Sequence, residues 1–403
     1  MCDGTPVILY SKWRLHPHMK TIKTTIPSPV FKYSFPYNIC DIAFFDIETT
    51  GLSPKVSSLY LIGMMYYDES AKSWTLIQWF ADNYKSEVEI INSFFSLLSK
   101  YKYLYHFNGR TFDIPYIKNK CDKYKINIPS NIESIFNTSI DILASIRPLK
   151  KLLSLSKANQ TALEHWLGII RDDKYDGGQL ISVYSEYIQK KIMAPEKSSE
   201  LEKILLLHNH DDIAQMLNVC SIISYYDFLN SETDIEILSA IIDENAMLQI
   251  RFTSHYIFPK KVILCKALPD SKSGILSELC ATLTFDSKQV TLSVPVLEGT
   301  LLYFIDNYKD YYYMESKDIA IHKSILSKED KSLCKKATAS NCYTKKEGIF
   351  IPSITLRKIN DKAHTFYLVH KDKLCFYPLP DMPFDTKDKF FAEYTALQIS
   401  AFI

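Results

Sequence analysis

The alternation of apolar and polar positions divides this 403-residue chain into two textures. From residue 39 to residue 230, apolar runs alternate with helical stripes. "DIAFFDI" (41–47) reads as a buried strand, and "SLYLIGMMYYD" (58–68) and "SWTLIQWFA" (73–81) read as two more, joined by the turn-like "DESAKS". "EVEIINSFFSLLSKY" carries Ile90, Phe94, Leu97 and Leu98 on one stripe, the mark of an amphipathic helix. "YLYHFN" (103–108) is a short strand, and "TFDIPYIKNKCDKY" opens the next helix. Helical patterns then dominate to about 228, including "TALEHWLGII" and the long "SSELEKILLLHNHDDIAQMLNVCSIISYYDFL". Three strands, a helix, a strand and then helices predict an α/β domain, a mixed sheet flanked by helices.

Residues 1–38 read as an N-terminal extended segment, punctuated by proline in "TTIPSPVFKYSFPYN". "NSETD" (230–234) reads as the boundary that closes the domain at 39–230. Beyond it, "ATLTFDSKQVTLSVPVL" and "HTFYLVHKDKLCFYPL" alternate with period two about polar turns, as hairpins do. Residues 231–403 are therefore expected to form a second, more β-rich α+β domain.

Composition narrows the function classes. The net charge is +1, so any binding to nucleic acid must use local patches and not bulk charge. The nine cysteines form no C-x-x-C pair, and the N-terminus has no apolar run long enough for a secretion signal. Reduced thiols and a cytoplasmic location are the expectation. No stretch approaches the roughly 18 apolar residues that span a membrane, so no membrane partner is expected.

Three stretches carry candidate chemistry. In "FFDIETTGL" (44–52), Asp46 and Glu48 are two apart on a strand and share a face. Adjacent carboxylates resist joint ionisation unless something positive lies between them. In "YHFNGRTFDIPYI", Asn108-Gly109 makes a turn and Asp113 falls in the first turn of a helix. In "LLLHNHDDIAQML", His208 and Asp212 lie one helical turn apart on one face. Taken singly, these are a solvated strand edge, a helix-dipole partner and a surface pair. A zinc site is disfavoured, because His208 and His210 do not share a helix face and no cysteine pair accompanies them.

Together, in this order, the three stretches resemble the motifs of the DEDD exonucleases of the ribonuclease H-like superfamily. "DIETTGL" is similar to their first motif, "NGRTFD" to the second and "HNHDD" to the third. The third is most similar to the form in the YprB-like ribonuclease H-like domain, with His in place of Tyr; "DILASIRPLKK" and "LEHWLGIIRDDKYDGG" look like that branch too. The departure is a histidine at Tyr-type spacing: four residues separate His208 from Asp212, and position 207 is Leu.

The resemblance implies a ribonuclease H-like fold over about 40–228 and a hydrolase with two divalent cations, Mg²⁺ or Mn²⁺. Hard cations take carboxylate oxygens, and a pair about 4 Å apart serves both ends of a phosphodiester displacement. On the family pattern Asp46 would bridge the ions, Glu48 and Asp212 would hold the one beside the nucleophile, and Asp113 would anchor the other. Asp211 competes with Asp212, which the pattern favours. His208 would be the general base, with His210 as the alternative. Thr49, Thr50, Gly51, Leu52 and Asn108 would meet the 3′ end of DNA or RNA, with Leu52 wedged against a base. Arg110 and Arg171 are candidate phosphate contacts. A 3′–5′ exonuclease is the leading expectation. A structure-specific endonuclease on the same fold and a non-catalytic nucleic-acid-binding or scaffold protein are its rivals; the complete carboxylate set disfavours the last.

In the second domain, "NYKDYYYMESKDIAIHKS" (307–324) and "CYTKKEGIF" (342–350) look like C-terminal regions of clostridial YprB-like proteins. The stretch 323–346 carries seven lysines against two acids. With its neighbouring tyrosines it reads either as a guide for a nucleic-acid strand or a docking module for a protein partner, or as a solvated lysine-rich helix and hairpin.

Overall fold

Four apolar residues precede the first charge in the strand at the centre of the main sheet, Ile42-Ala43-Phe44-Phe45, and all four are fully buried. The computed structural model describes residues 7–9, 19–231, 235–272, 274, 279–356, 359, 365–380 and 382–402. The chain divides into two compact units, Met1–Tyr226 and Asp227–Ile403. Of the boundary expected at "NSETD", residues 232–234 lie outside the described residues, as do 1–6 and 10–18 of the expected N-terminal segment.

The first unit is built on a seven-stranded sheet. In chain order its strands are β1 (Val7–Leu9), β2 (Met19–Ile26), β3 (Ile42–Thr49), β4 (Leu59–Asp68), β5 (Ser73–Ala81), β6 (Tyr103–His106) and β7 (Ile140–Asp141). They lie side by side as β1-β2-β5-β4-β3-β6-β7. The β3–β6 and β6–β7 pairs are parallel and the others antiparallel, so the sheet is mixed, as the pattern predicted. Part of the segment expected to be an extended leader is β2, which runs along the whole of β5. Its alternation is weak, only Ile22 and Ile26 being buried, and this hid it as a sheet member.

The helices of this unit are α1 (Glu87–Leu98), α2 (Asp113–Tyr124), α3 (Ser130–Asn137), α4 (Ile142–Ile146), α5 (Gln160–Leu167), α6 (Gly177–Met193) and α7 (Pro195–Val219); α8 (Ile223–Asn230) follows. Ile90, Phe94 and Leu98 of α1 are fully buried. Phe94 stacks on Phe45 of β3 with ring centroids 5.4 Å apart. On the opposite side of β3, Phe44 meets Trp74 and Tyr105. Strand neighbours alternate faces, so Asp46 and Glu48 belong to the side of Phe44 and not to the side of Phe45 and α1. With apolar material on both faces, β3 is a central strand whose carboxylates have little water to face.

The second unit contains a five-stranded sheet of β8 (Ile237–Ile242), β9 (Met247–Thr253), β10 (Val262–Ala267), β11 (Cys280–Asp286) and β12 (Gln289–Pro295). The hairpin expected at 281–297 is β11–β12, antiparallel about a two-residue turn. Next come β13 (Leu297–Phe304), β14 (Tyr311–Met314), β15 (Ile319–His322), α9 (Lys328–Ser332), β16 (Lys335–Lys336), β17 (Tyr343–Pro352), β18 (Phe376–Pro378) and α10 (Lys389–Ile399). β13-β17-β18 form one three-stranded sheet and β15-β14-β16 another. The expected hairpin at 364–379 is reduced to a bridge, Phe366 to Phe376, beside β18. Strand-rich with two helices among the described residues, this unit has the predicted α+β character. No helix among the described residues is long and apolar enough to cross a membrane.

Candidate active site

The site begins with how closely α7 approaches the sheet. Asp46, Gly63 and Gln78 are in register across β3, β4 and β5. A Cβ at Gly63 would come within 2.2 Å of Asn209 Oδ1 and 2.3 Å of Ile213 Cδ1, both on α7. Only glycine lets the helix descend this far. Asn209, fully buried, then bridges the row: its Nδ2 donates to Asp46 Oδ2 (3.0 Å), and its Oδ1 accepts from Gln78 Nε2 (3.0 Å). Gln78 also donates to the Leu206 carbonyl (2.9 Å).

This clamp sets the rotation of α7 and carries the residues on either side of Asn209 to defined places. His208 and Asp212 turn toward Glu48. His208 Nε2 lies 3.7 Å from Glu48 Oε1 and 3.3 Å from Asp212 Oδ2, and one ligand atom from each of the three residues falls within 4.8 Å of the others. His210 faces elsewhere, its Nδ1 3.0 Å from Asp211 Oδ1. Asp211 in turn accepts from the Asp173 backbone (3.4 Å). Of the two competing histidines and two competing aspartates, His208 and Asp212 are the pair beside Glu48.

Asp113 arrives from α2. A tight turn precedes it: Asn108 has a positive φ of 63°, and the Gly109 N–H donates to His106 Nδ1 (3.0 Å). A Cβ at Gly109 would press on the His106 ring at 2.8 Å. Burial drives the His106 pKa down to about 4, so the ring is neutral and its Nε2 N–H is left to donate to Ser139 Oγ (3.0 Å). The turn delivers Asp113 so that its Oδ1 accepts from the Ile47 N–H of β3 (3.3 Å), between Asp46 and Glu48 in the chain.

The four carboxylates feel one another. Burial first, then the charges of Asp113, Asp212 and Glu48, holds the Asp46 carboxyl well above its ordinary range. Burial, followed by Asp212, Asp113 and Asp173, does the same to Glu48. Burial pushes Asp113 up to about 7 although the Ile47 N–H opposes the shift. Desolvated acids crowded in this way favour protonation unless cations share the site.

Three partners were invisible in the motifs. Asp173 Oδ2 lies 2.6 Å from His208 Nδ1. That contact seats Nδ1 on the Asp173 carboxylate and turns Nε2 toward Glu48 and Asp212. Arg171, expected as a phosphate contact, is instead bound to Glu164 and to Asp212 Oδ1, its side chain 8% exposed. Gln160 donates to the Asp212 carbonyl (2.6 Å) and to Glu164 (3.0 Å). Arg171 and Asp173 fall in the family-like stretch "LEHWLGIIRDDKYDGG", but no local pattern ties either of them, or Gln160, to His208 or Asp212. Arg110, the other expected phosphate contact, is exposed and donates to the Ser139 carbonyl (2.6 Å).

Asp46, Asn108, Arg171, Asp173, His208 and Asp212 help to line a cleft of about 720 Å³. Of the expected substrate-contact residues Asn108 lines the cleft, while Thr49 ends β3 and Thr50, Gly51 and Leu52 follow it. The Thr49 hydroxyl donates to the Gly51 carbonyl (3.0 Å), and Thr50 Oγ1 accepts from the Ser58 N–H (2.8 Å). Gly51 packs on Ser57, whose Cβ would stand 3.3 Å from an added Cβ. The buried Lys120 Nζ donates to the Ser57 carbonyl and pairs with Glu87 at 2.7 Å, which ties this loop to α2 and α1. From that anchored base Leu52 projects, 83% exposed.

A mixed sheet with β3 beside the parallel β6, helices on its faces and this acidic cleft define a ribonuclease H-like fold. Residues 43–224 match the RNase_H_2 family model of the RNase H superfamily. Among solved structures the chain is similar to the zinc-bound Escherichia coli exonuclease I–ssDNA complex, at 15% identity over 38% of this chain and 41% of that one, with a TM-score of 0.27. E. coli exonuclease I with a dT13 oligonucleotide aligns at 11% identity over 56% and 54%, TM-score 0.28. The family B DNA polymerase of Pyrobaculum calidifontis aligns at 9% identity over 91% and 46%, TM-score 0.37. The chain thus spans about half or less of each of these structures. No curated protein matches the sequence.

Proposed function

We propose that this protein is a nuclease that hydrolyses phosphodiester bonds of DNA or RNA with two divalent cations, Mg²⁺ or Mn²⁺, acting as a 3′–5′ exonuclease. The observation that carries the reading is the meeting of Glu48, His208 and Asp212 within 4.8 Å, beside Asp46 and Asp113, in one largely buried acidic cleft. The donor set fits the ions. It offers carboxylate oxygens to hard cations, and Arg171 on Asp212 is the one fixed positive group in ion-pair contact with these four acids among the described residues. Four desolvated acids with so little compensation call for added positive charge.

Asp46, Glu48, Asp113 and Asp212 would hold the ions, which when bound lower the pKa of water and neutralise charge on the departing oxygen. The protein's own steps follow from the geometry. His208 Nε2, the ring nitrogen turned toward Glu48 and Asp212, takes the proton of the water that attacks phosphorus. Asp173 keeps the ring in the tautomer that can do so and stabilises the imidazolium that forms. Arg171 fixes Asp212 through Oδ1 and leaves Oδ2 turned toward His208. Asn108 in the cleft and Leu52 after β3 would seat the terminal nucleotide. The exposed position of Leu52 on an anchored loop supports that role.

The test is a nuclease panel on end-labelled single- and double-stranded DNA and RNA with Mg²⁺, Mn²⁺ or EDTA. A metal-dependent ladder from the 3′ end, lost in Asp46→Ala at a near-normal melting temperature, is the expected result. Discrete internal cuts would replace exonuclease with endonuclease, and Asp46→Ala cutting at the wild-type rate would overturn the assignment.

A further inference from the structure

The second unit holds a cleft of the opposite sign. It begins with strand alternation in the sheet β15-β14-β16, which sends neighbouring side chains to opposite faces. On one face Lys335 pairs with Glu315 at 2.9 Å, and Lys345 of β17 pairs with Asp318, which also accepts from the Tyr313 hydroxyl (2.5 Å). On the other face, Tyr312 is in register with Lys336. Both line a cleft of about 740 Å³ together with Tyr311, Lys309, Lys323, Lys328 and Lys331. No carboxylate is among its described lining residues. Of its five lysines, Lys323 alone has an ion-pair partner among the described residues, Asp310 at 2.5 Å.

Four ammonium groups with no ion-pair partner among the described residues repel each other around one concavity, which focuses their field. The arrangement is stable enough in water, but it is complementary to closely spaced negative charge. Lysines act as flexible point charges, suited to a backbone that moves through the site and not to fork-like recognition of a single group. Tyr312 is half-buried and lines the cleft beside Lys331. Lys331 Nζ stands 5.5 Å from the Tyr312 ring centroid, and His322 sets its ring against Tyr311 at 5.0 Å. Cations that track phosphates beside aromatic rings able to stack bases are the two parts of a single-strand binding surface. A duplex offers no unstacked base to those rings. We infer that this cleft binds single-stranded nucleic acid, with Lys331 and Lys336 on backbone phosphates and Tyr312 against a base.

The test uses the full chain in EDTA and fluorescence anisotropy of a fluorescein-labelled oligothymidylate across a salt series. Each single-strand phosphate contact releases about 0.7 counterions, so losing one contact weakens binding about fivefold at 0.1 M salt and losing two about 25-fold. Lys331→Gln/Lys336→Gln should show that loss and a log–log salt slope shallower by about 1.4. Lys335→Gln/Lys345→Gln, on the ion-paired lysines, should leave both unchanged. All four side chains are exposed, and circular dichroism checks that the variants fold. Tyr312→Ala should weaken the oligothymidylate and spare a duplex of equal length. The inference is overturned if the Lys331/Lys336 variant keeps wild-type affinity and slope, or if the duplex competes as well as the single strand. Because EDTA stops metal-dependent cleavage, this result is separate from the proposed hydrolysis. A chain that binds through these lysines yet never cuts with Mg²⁺ would refute the nuclease reading and leave this one intact.

Discussion

Replacing Asp113 by Asn should stabilise the metal-free protein at neutral pH while abolishing its activity. Asn keeps an Oδ1 for the Ile47 N–H, so the 3.3 Å contact survives and only the charge is lost. Burial raises the Asp113 carboxyl from 3.8 to about 7. Between those values the folded chain binds a proton that the unfolded chain has released. This contribution to stability is therefore whole below 3.8 and disappears as pH rises through about 7. The full span corresponds to about 4 kcal/mol, and somewhat more than half of it falls between pH 5 and pH 8. For a unit of this size each kcal/mol moves Tm by roughly 2–4 °C. In EDTA, the Tm advantage of Asp113→Asn over wild type should grow by roughly 5–10 °C from pH 5 to pH 8. Mg²⁺ or Mn²⁺ should close the gap at pH 8 by stabilising wild type more than the variant. Differential scanning calorimetry of both proteins at both pH values reads this directly. A gap that does not change with pH, or a variant less stable than wild type at pH 8 in EDTA, would refute the claim that desolvated negative charge strains this cleft.

Other expectations follow from the same geometry. His208→Ala should lower kcat by about 10²–10⁴ while Mn²⁺ binding, followed by calorimetry, persists; His210→Ala should stay near wild type, and the reverse order would move the base to His210. Asp173→Ala should cost about 10–100-fold in kcat with KM unchanged, since it acts through His208; a change confined to KM would place Asp173 on the substrate instead. Gly63→Ala should lower stability in urea titrations by about 1–3 kcal/mol and weaken metal binding, because its methyl group would push Asn209 and Ile213 outward. An unchanged urea midpoint would show that α7 is not seated on Gly63.

Much of the first domain was legible along the chain. The strands at 42–49, 59–68 and 73–81 declare themselves because apolar runs bounded by turn residues have few other ways to be buried. The helix at 87–98 does so through its stripe. Strand β2 did not, because an outer strand buries only one side chain in several and leaves little periodicity to read. In the second unit the short strands β14–β16 carry tyrosines and lysines that look alike on either face. Their sequence leaves open which lysines are neutralised and which surround a cleft.

The candidate site divides along the same line. Spacing alone puts Asp46 with Glu48 on one strand face and His208 with Asp212 on one helix face, because the backbone periods of two and 3.6 are local facts. Whether those faces meet depends on Gly63 and Gln78, neither of which belongs to any acidic motif, and on Asn209, whose neighbours drew the attention instead. Asp173 and Arg171 reach the site from the loop between α5 and α6, 35 and 41 residues from their partners. Contacts over such separations are made by packing, and no local pattern encodes them. The sequence determined which charges exist and which side of each element bears them; the tertiary structure decided which of them share one desolvated space, and so which nitrogen of His208 faces Glu48 and Asp212.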